Sequence, residues 1–366
     1  MSKRTERKRR VAEEARRLRQ QSEYQVQSFF LDRDPTKQYV RHFGWLQVIQ
    51  NYVEKRRNDG VDRPLKYLTL PGPNAPDVGL LWQAGLLVRN DNGFPDVVIC
   101  DREHADEALK ILGAVQGYSR QWFHEAVSGE LACYFPFDVI NMDIYGAVVT
   151  GDPRRDFALR TLVGIRRALW QQKGQSFLLL LTTSTDDKPA RKYLEDVLLQ
   201  NFNEDDFKEA YLERYNALDL SPFRKDYRAF VSFVLPKAIG KMARDRGYKI
   251  TEHFVAKYDR KGNHMLCHSF ELEPLGGREP KKQHEPRFKK IEWDELTEEL
   301  SSRARSLANS AYAEFISTLV RRDPLDVTDI LNTNPGLKAA MVEEAESLVG
   351  WQNPSRPEIG LEDEIH

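Results

Sequence analysis

The sequence predicts an α/β fold: a mostly parallel, doubly wound sheet that ends in an antiparallel hairpin, with helical extensions at both ends. Three observations carry this. Between about residues 65 and 275, short apolar runs alternate with amphipathic stretches at the spacing of strand–helix units. Near residue 248 the alternation stops. Two long strand-like runs follow there, joined by the polar segment Asp259 to Asn263. Outside these limits, apolar residues recur at helical spacing instead.

Residues 1–62 are expected to form a helical N-terminal extension. Its first twenty residues hold Lys3, Arg4, Arg7, Lys8, Arg9, Arg10, Arg16, Arg17 and Arg19, and Tyr39, Phe43, Leu46, Ile49 and Val53 then mark a helix stripe. Residues 63–275 form the sheet domain. Strands are expected at 65–70, 96–101, 122–127, 137–143 and 176–184, with hairpin strands at 248–258 and 264–273, seven in all. Helical segments such as "DVGLLWQAGLL" and "EHADEALKILGAV" separate most of them. A charged, aromatic insertion occupies about 204–228, a Gly/Pro/basic linker 276–290, and a helical region with an acidic tail 291–366.

Lys and Arg number 55 and Asp and Glu 56, so the net charge of −1 hides the basic arm at the start. Such an arm can track the phosphates of DNA or RNA. The interleaved Glu6, Glu13 and Glu14 equally suit a solvated helix, and both readings stand. No apolar run approaches the ~20 residues that span a bilayer, and no signal-like apolar core follows the basic start. Cys100, Cys133 and Cys267 lie far apart without metal-binding spacing, as expected of buried free thiols in a reducing cytoplasm. His264 and His268 share a strand face but lack a third ligand, so no metal centre is expected. Walker, HExxH, G-x-S-x-G and GxGxxG motifs are absent from the sequence.

Ligands of open α/β sheets bind outside the carboxyl ends of the strands, so the residues after each strand matter most. After the first comes "LPGPNAPD": Pro71 and Pro73 stiffen the turn around Gly72, Asn74 is placed to cap the next helix, and Asp77 to complete a capping pair. After the second come Asp101 and Glu103, after the third Glu130, and at the end of the fourth Asn141, Asp143 and Tyr145.

This series of strand ends, with the terminal hairpin, resembles the class I S-adenosylmethionine-dependent methyltransferases over about 65–275. The resemblance implies a Rossmann-like fold and S-adenosylmethionine as cofactor. Pro71, Gly72 and Pro73 would cradle its methionine part, Asp101 or Glu103 would hold the ribose hydroxyls, and Glu130 would flank the adenine. Asn141, Asp143 and Tyr145 would face the methyl acceptor, a nucleic acid or a protein partner. The family's loop is Gly-x-Gly after an acid, whereas this one has a single glycine and no acid before it. A second expectation follows: a non-catalytic scaffold of the same fold whose helical arms bind a protein or nucleic-acid partner in a larger assembly.

Overall fold

The structure is a computed structural model that describes residues 33–89, 95–113, 115–144, 157–185, 227–260, 262–276 and 302–348. The basic arm, Tyr145, nearly all of the 204–228 insertion and of the 276–290 linker, and the acidic tail lie outside these residues.

Helix α1 (Pro35–Tyr39) runs through a π-helical stretch, Val40–Leu46, into α2 (Gln47–Asn58). The sheet domain then alternates β1 (Tyr67–Thr69), α3 (Pro76–Gln83), β2 (Val97–Cys100), α4 (Ala105–Leu112) and β3 (Gly117–Ser119). The short α5 (Phe123–Ala126), β4 (Val139–Asp143), α6 (Phe157–Gln171) and β5 (Phe177–Ser184) follow. Then come α7 (Tyr227–Asp245) and the hairpin β6 (Tyr248–Arg260) and β7 (Asn263–Pro274). The chain continues into α8 (Ser302–Arg321), β8 (Leu325–Asp326), α9 (Val327–Thr333) and α10 (Pro335–Leu348).

One sheet holds every strand named, in the order β3-β2-β1-β4-β5-β7-β6-β8. Strands β3, β2, β1, β4 and β5 are parallel, while β7 is antiparallel to both β5 and β6. The fold is therefore α/β with a mixed, mostly parallel sheet. Among the described residues the sheet has eight strands where the sequence predicts seven: β8, from the C-terminal region, adds two residues alongside Ala256 and Lys257 of β6. So short a run carries no periodic signal, and only its pairing makes it a strand.

The third strand also differs from expectation. It is Gly117–Ser119, whereas Phe123–Ala126 is helical. Phe123, Ala126 and Val127 are buried on one side at i, i+3, i+4 spacing, and the Glu125 carboxylate accepts the Trp122 N–H at 3.3 Å. Helix entry thus competes successfully with the strand propensity of "WFHEAV". A further correction concerns the thiols: Cys100 and Cys267 are buried, but Cys133 is exposed.

Strands β1, β2 and β5 are buried along almost their whole length, as is β4 up to Met142. On one face Leu68, Val98, Ile140 and Leu179 pack against α5 to α8 through residues such as Ile165, Phe230 and Phe315. On the other, Tyr67, Ile99, Val139 and Leu178 meet Trp45, Ile49 and Tyr52 of the N-terminal helices, Leu81 of α3, and Leu331 and Met341 of α9 and α10. Each fully buried aliphatic side chain contributes roughly 1.5–3 kcal/mol. The two terminal helical regions are thus part of the core that covers the sheet.

The N-terminal helix is offset from the stripe read in the sequence. The face buried deepest runs Lys37, Val40, Arg41, Trp45, Val48, Ile49 and Tyr52, while Tyr39, Phe43 and Val53 are only partly covered. Gly44 makes this close packing possible. A Cβ there would lie 2.7 Å from the Phe254 ring, and the Gly44 carbonyl accepts the Ser269 hydroxyl at 2.5 Å.

Asp138, just before β4, ties the same helices to the amino end of the sheet. Its carboxylate accepts two hydrogen bonds from Arg63, at 2.7 and 2.8 Å, and the Lys66 N–H at 2.8 Å, and Arg56 lies 3.1 Å away. Asp138→Ala should cost about 3–5 kcal/mol in urea unfolding, because it strands a buried guanidinium. A loss below ~1 kcal/mol would show that the cluster does not anchor α2.

Candidate active site

The carboxyl ends of β1 and β4 lie side by side, since Thr69 pairs with Asn141 and the Leu70 N–H donates to the Asn141 carbonyl at 3.1 Å. The strand order reverses between these two strands, and such switch points open a crevice in α/β sheets. Two polar groups meet there.

The first is a buried network centred on Asp77. Its Oδ2 accepts the Tyr67 hydroxyl at 2.6 Å, the Thr69 hydroxyl at 2.6 Å and the Asn141 Nδ2 amide at 3.0 Å. Asn141 Nδ2 also donates to the Tyr67 oxygen at 2.8 Å. Burial, with the Asp77 charge adding to it, raises the Tyr67 pKa well above its ordinary value, so the phenol stays a donor. Asp77 Oδ1 and Asn141 Oδ1 are buried and accept no hydrogen bond among the described residues. Two unpaired acceptors in one buried cluster cost stability.

This arrangement corrects the capping assignment. The N-cap of α3 is Ala75, in left-handed backbone at φ 42° and ψ 46°, which has no side-chain oxygen to cap the helix. Asp77 turns inward to β1 and β4 instead. The sequence hid this because an acid in a first turn is the ordinary companion of a helix N-terminus. Gly72 takes φ +64° and has nothing within 4 Å of the place where a Cβ would stand. The loop therefore offers open backbone at Gly72 ahead of the α3 N-terminus, with Pro71 buried and Pro73 partly exposed.

The second group surrounds Asp143. Lys37, reaching in from α1, places Nζ 2.5 Å from Asp143 Oδ1. That ammonium also lies 4.5 Å from the centre of the Trp45 ring. Lys37 is completely buried, whereas the Asp143 side chain keeps about 25 % of its surface exposed. Burial lowers the Lys37 pKa to about 8. Asp143 opposes that shift, and Arg260 and Arg41 add to it. Burial alone would raise the Asp143 carboxyl, but Lys37, Arg260 and Arg41 together hold it below its ordinary value, so the pair is ionic near neutrality. Tyr258 and Cys267 lie around the pair, and burial pushes the Cys267 thiol up to about 11.

The remaining residues sit at the same edge with other partners. Asp101 Oδ1 accepts the backbone N–H groups of Glu103 and His104, at 2.9 and 2.8 Å, and so closes the turn that leads into α4. Its Oδ2 takes part in no hydrogen bond among the described residues. Glu103 is exposed. Glu130 bridges Ser119 at 2.5 Å and Gln121 at 3.2 Å, which returns it to the end of β3 although a helix intervenes. His268 and His264 are engaged with Glu252 and Asp259, and no cluster among the described residues could hold a metal ion. Nor is any helix among them long and apolar enough to cross a membrane.

Residues 28–87 match the protein family described as PP_RS20740-like. The matched segment runs from before α1 to beyond α3 and so contains Lys37, Trp45, Gly72 and Asp77. A comparison with curated proteins returned no match.

The Lys37 amine has a pH signature. Below pH 8 it is protonated in both folded and unfolded chains, and the full burial penalty is present. Between pH 8 and its ordinary 10.5 only the unfolded chain keeps the proton, so stability rises with pH. The difference in unfolding free energy between wild type and Lys37→Met should grow in favour of wild type by on the order of 2 kcal/mol from pH 8 to pH 10. A difference independent of pH across that range would mean that Lys37 titrates normally.

Proposed function

We propose that this chain is an S-adenosylmethionine-dependent methyltransferase with a Rossmann-like sheet, acting on a nucleic acid or a protein partner. The observation that carries the reading is the edge where β1 and β4 end side by side, with the left-handed, open backbone of Gly72 following β1 and the partly exposed Asp143 ending β4. A strand order running 3-2-1-4-5, with an antiparallel hairpin at the end, supports it.

The residues present fit the cofactor. Its methionine part carries a carboxylate suited to the N-terminus of α3, where Ala75 supplies no side-chain cap. Asp101 retains a second carboxylate oxygen for a ribose diol. Glu130 already uses both oxygens on its own loop and fits least well.

When bound, S-adenosylmethionine supplies an electrophilic methyl group on a sulfonium. The protein's part is to orient the acceptor and exclude water. Asp143, at the end of β4 and partly exposed, can accept a hydrogen bond from an acceptor amine or hydroxyl and aim its lone pair. Tyr145 lies outside the described residues, and its part in this step rests on the sequence alone. So does the choice of nucleic acid, which rests on the basic arm.

One observation favours the second reading, a non-catalytic scaffold: Asp143 already has a buried partner in Lys37. Calorimetric titration with S-adenosylmethionine and S-adenosylhomocysteine separates the two. Micromolar binding is expected for the methyltransferase. Asp101→Asn, which retains a cap acceptor but loses the charge, should weaken it about tenfold. Gly72→Val, which forces a β-branched residue into left-handed backbone, should weaken it further. A folded sample that binds neither ligand at millimolar concentration selects the scaffold.

A further inference from the structure

The C-terminal region crosses from one face of the sheet to the other around the β6 margin, and a buried cluster holds the crossing. Helix α8 packs on the face of α5 to α7 through Phe315 and Leu319, whereas Val327 and Leu331 of α9 are buried on the opposite face. Between them run Arg322, the first residue after α8, and β8, which pairs with β6 at Ala256 and Lys257. We propose that Glu252, His268 and Arg322 form an acid-sensitive latch: protonation of His268 releases Arg322 and lets this crossing lift from the hairpin. The inference does not depend on methyl-transfer activity.

The cluster is closed on every side. A register shift between Glu252 and Phe254 marks a bulge in β6, a device that re-aims neighbouring side chains. Both oxygens of the buried Glu252 carboxylate are engaged: Oε1 lies 2.7 Å from His268 Nδ1, and Oε2 accepts a hydrogen bond from Arg322 Nη1. Arg322 Nη2 donates to the Ser232 carbonyl, so the guanidinium ties β6 and α7 to the end of α8. His268 is wholly buried, and its ring stacks on Phe270 with centroids 5.3 Å apart and an angle of 11°. Facing a carboxylate that already accepts from Arg322, Nδ1 carries the proton of the neutral imidazole and Nε2 keeps a lone pair. Nε2 is buried and has no hydrogen-bond partner among the described residues.

A second proton has no place in this arrangement. On Nε2 it would meet no acceptor, and it would set two cations against one carboxylate whose charge the guanidinium already balances. Around the ring, β5 brings Leu181 opposite His268, and α8 brings Phe315 against Phe270. Helix α7 brings the Ser232 carbonyl and, further along, Lys237 and Lys241, whose amines at acid pH add positive charge. Burial lowers the His268 pKa from 6.5 to about 3. Above pH 6.5 the ring is neutral with the latch closed or open, and closure has its full stability. Below pH 6.5 the open form alone takes up the proton, so closure weakens progressively until about pH 3. The Lys237 amine, lowered to about 7 by burial, changes stability mainly above that window.

Hydrogen exchange of the purified full chain, read by mass spectrometry and corrected for the intrinsic rate at each pH, tests the latch. Between pH 7 and pH 5 the opening constant of peptides covering the end of α8, β8 and α9 should rise roughly twenty-fold, the ratio set by an ordinary histidine in the open form. Peptides from β2 and β4 should not share the change. His268→Asn, whose amide can donate to Glu252 in place of Nδ1 but takes up no proton, should be flat over this range. If that variant does not fold, Arg322→Met serves instead. It leaves Glu252 to His268 alone, so it should open more readily at pH 7 and lose most of the pH dependence. Three results would each overturn the latch: wild-type opening that ignores pH, a full slope that survives in the variant used, or lost protection shared equally by β2 and β4.

Discussion

A parallel sheet whose central strands are apolar on both faces has to be covered on both faces. Here β1, β2, β4 and β5 expose almost nothing, and among the described residues the helices between them on one face, α3 and α4, do not cover it alone. The missing cover comes from both ends of the chain. Segments that read as appendages become one wall of the core, with the N-terminal helices on the same face as α3, α9 and α10. Once α1 and α2 are fixed there by burial and by the Asp138 cluster, Lys37 has nowhere to extend except over the end of β4.

Polar groups in such a place persist only when each is held by something. Asp77 gathers three donors on one oxygen, and Lys37 has a carboxylate and an aromatic face. What is unbalanced is therefore informative. Two acceptor oxygens lack donors and an amine sits below its ordinary pKa, all around the two strands where the sheet order turns. Burying these groups costs stability, and a fold selected for stability alone would have filled the space with aliphatic side chains.

Much of the scaffold was legible in the sequence. The runs at 96–101, 137–143 and 176–184 each contain the observed strand, and the hairpin lies where its polar turn places it. Long β-branched or leucine-rich runs speak for themselves. The third strand did not, because three residues with glycine and serine carry no pattern and the neighbouring "WFHEAV" imitates one. At the site, Asn141 and Asp143 were visible as polar ends to an apolar strand. Asp77 was visible too, but its position in a first turn suggested capping, and only the fold shows it turned inward. Lys37 was hidden altogether. Its signal was spacing: Lys37, Val40, Arg41 and Gly44 lie on one helix face, and that face proved to be the buried one.

The small β8 has a consequence for how molecules meet one another. Without it, β6 would present thirteen residues of unpaired backbone along one margin of the sheet, a template on which a strand from another chain could dock. At the opposite margin β3 is only three residues long and offers little purchase. Leu325 and Asp326 occupy the β6 margin at Ala256 and Lys257, with Lys257 and Asp326 within 3.7 Å, and they interrupt the row of free donors and acceptors midway. Two residues from the far end of the chain thus guard the sheet against edge-to-edge growth, and with it against fibrils and strand-swapped dimers.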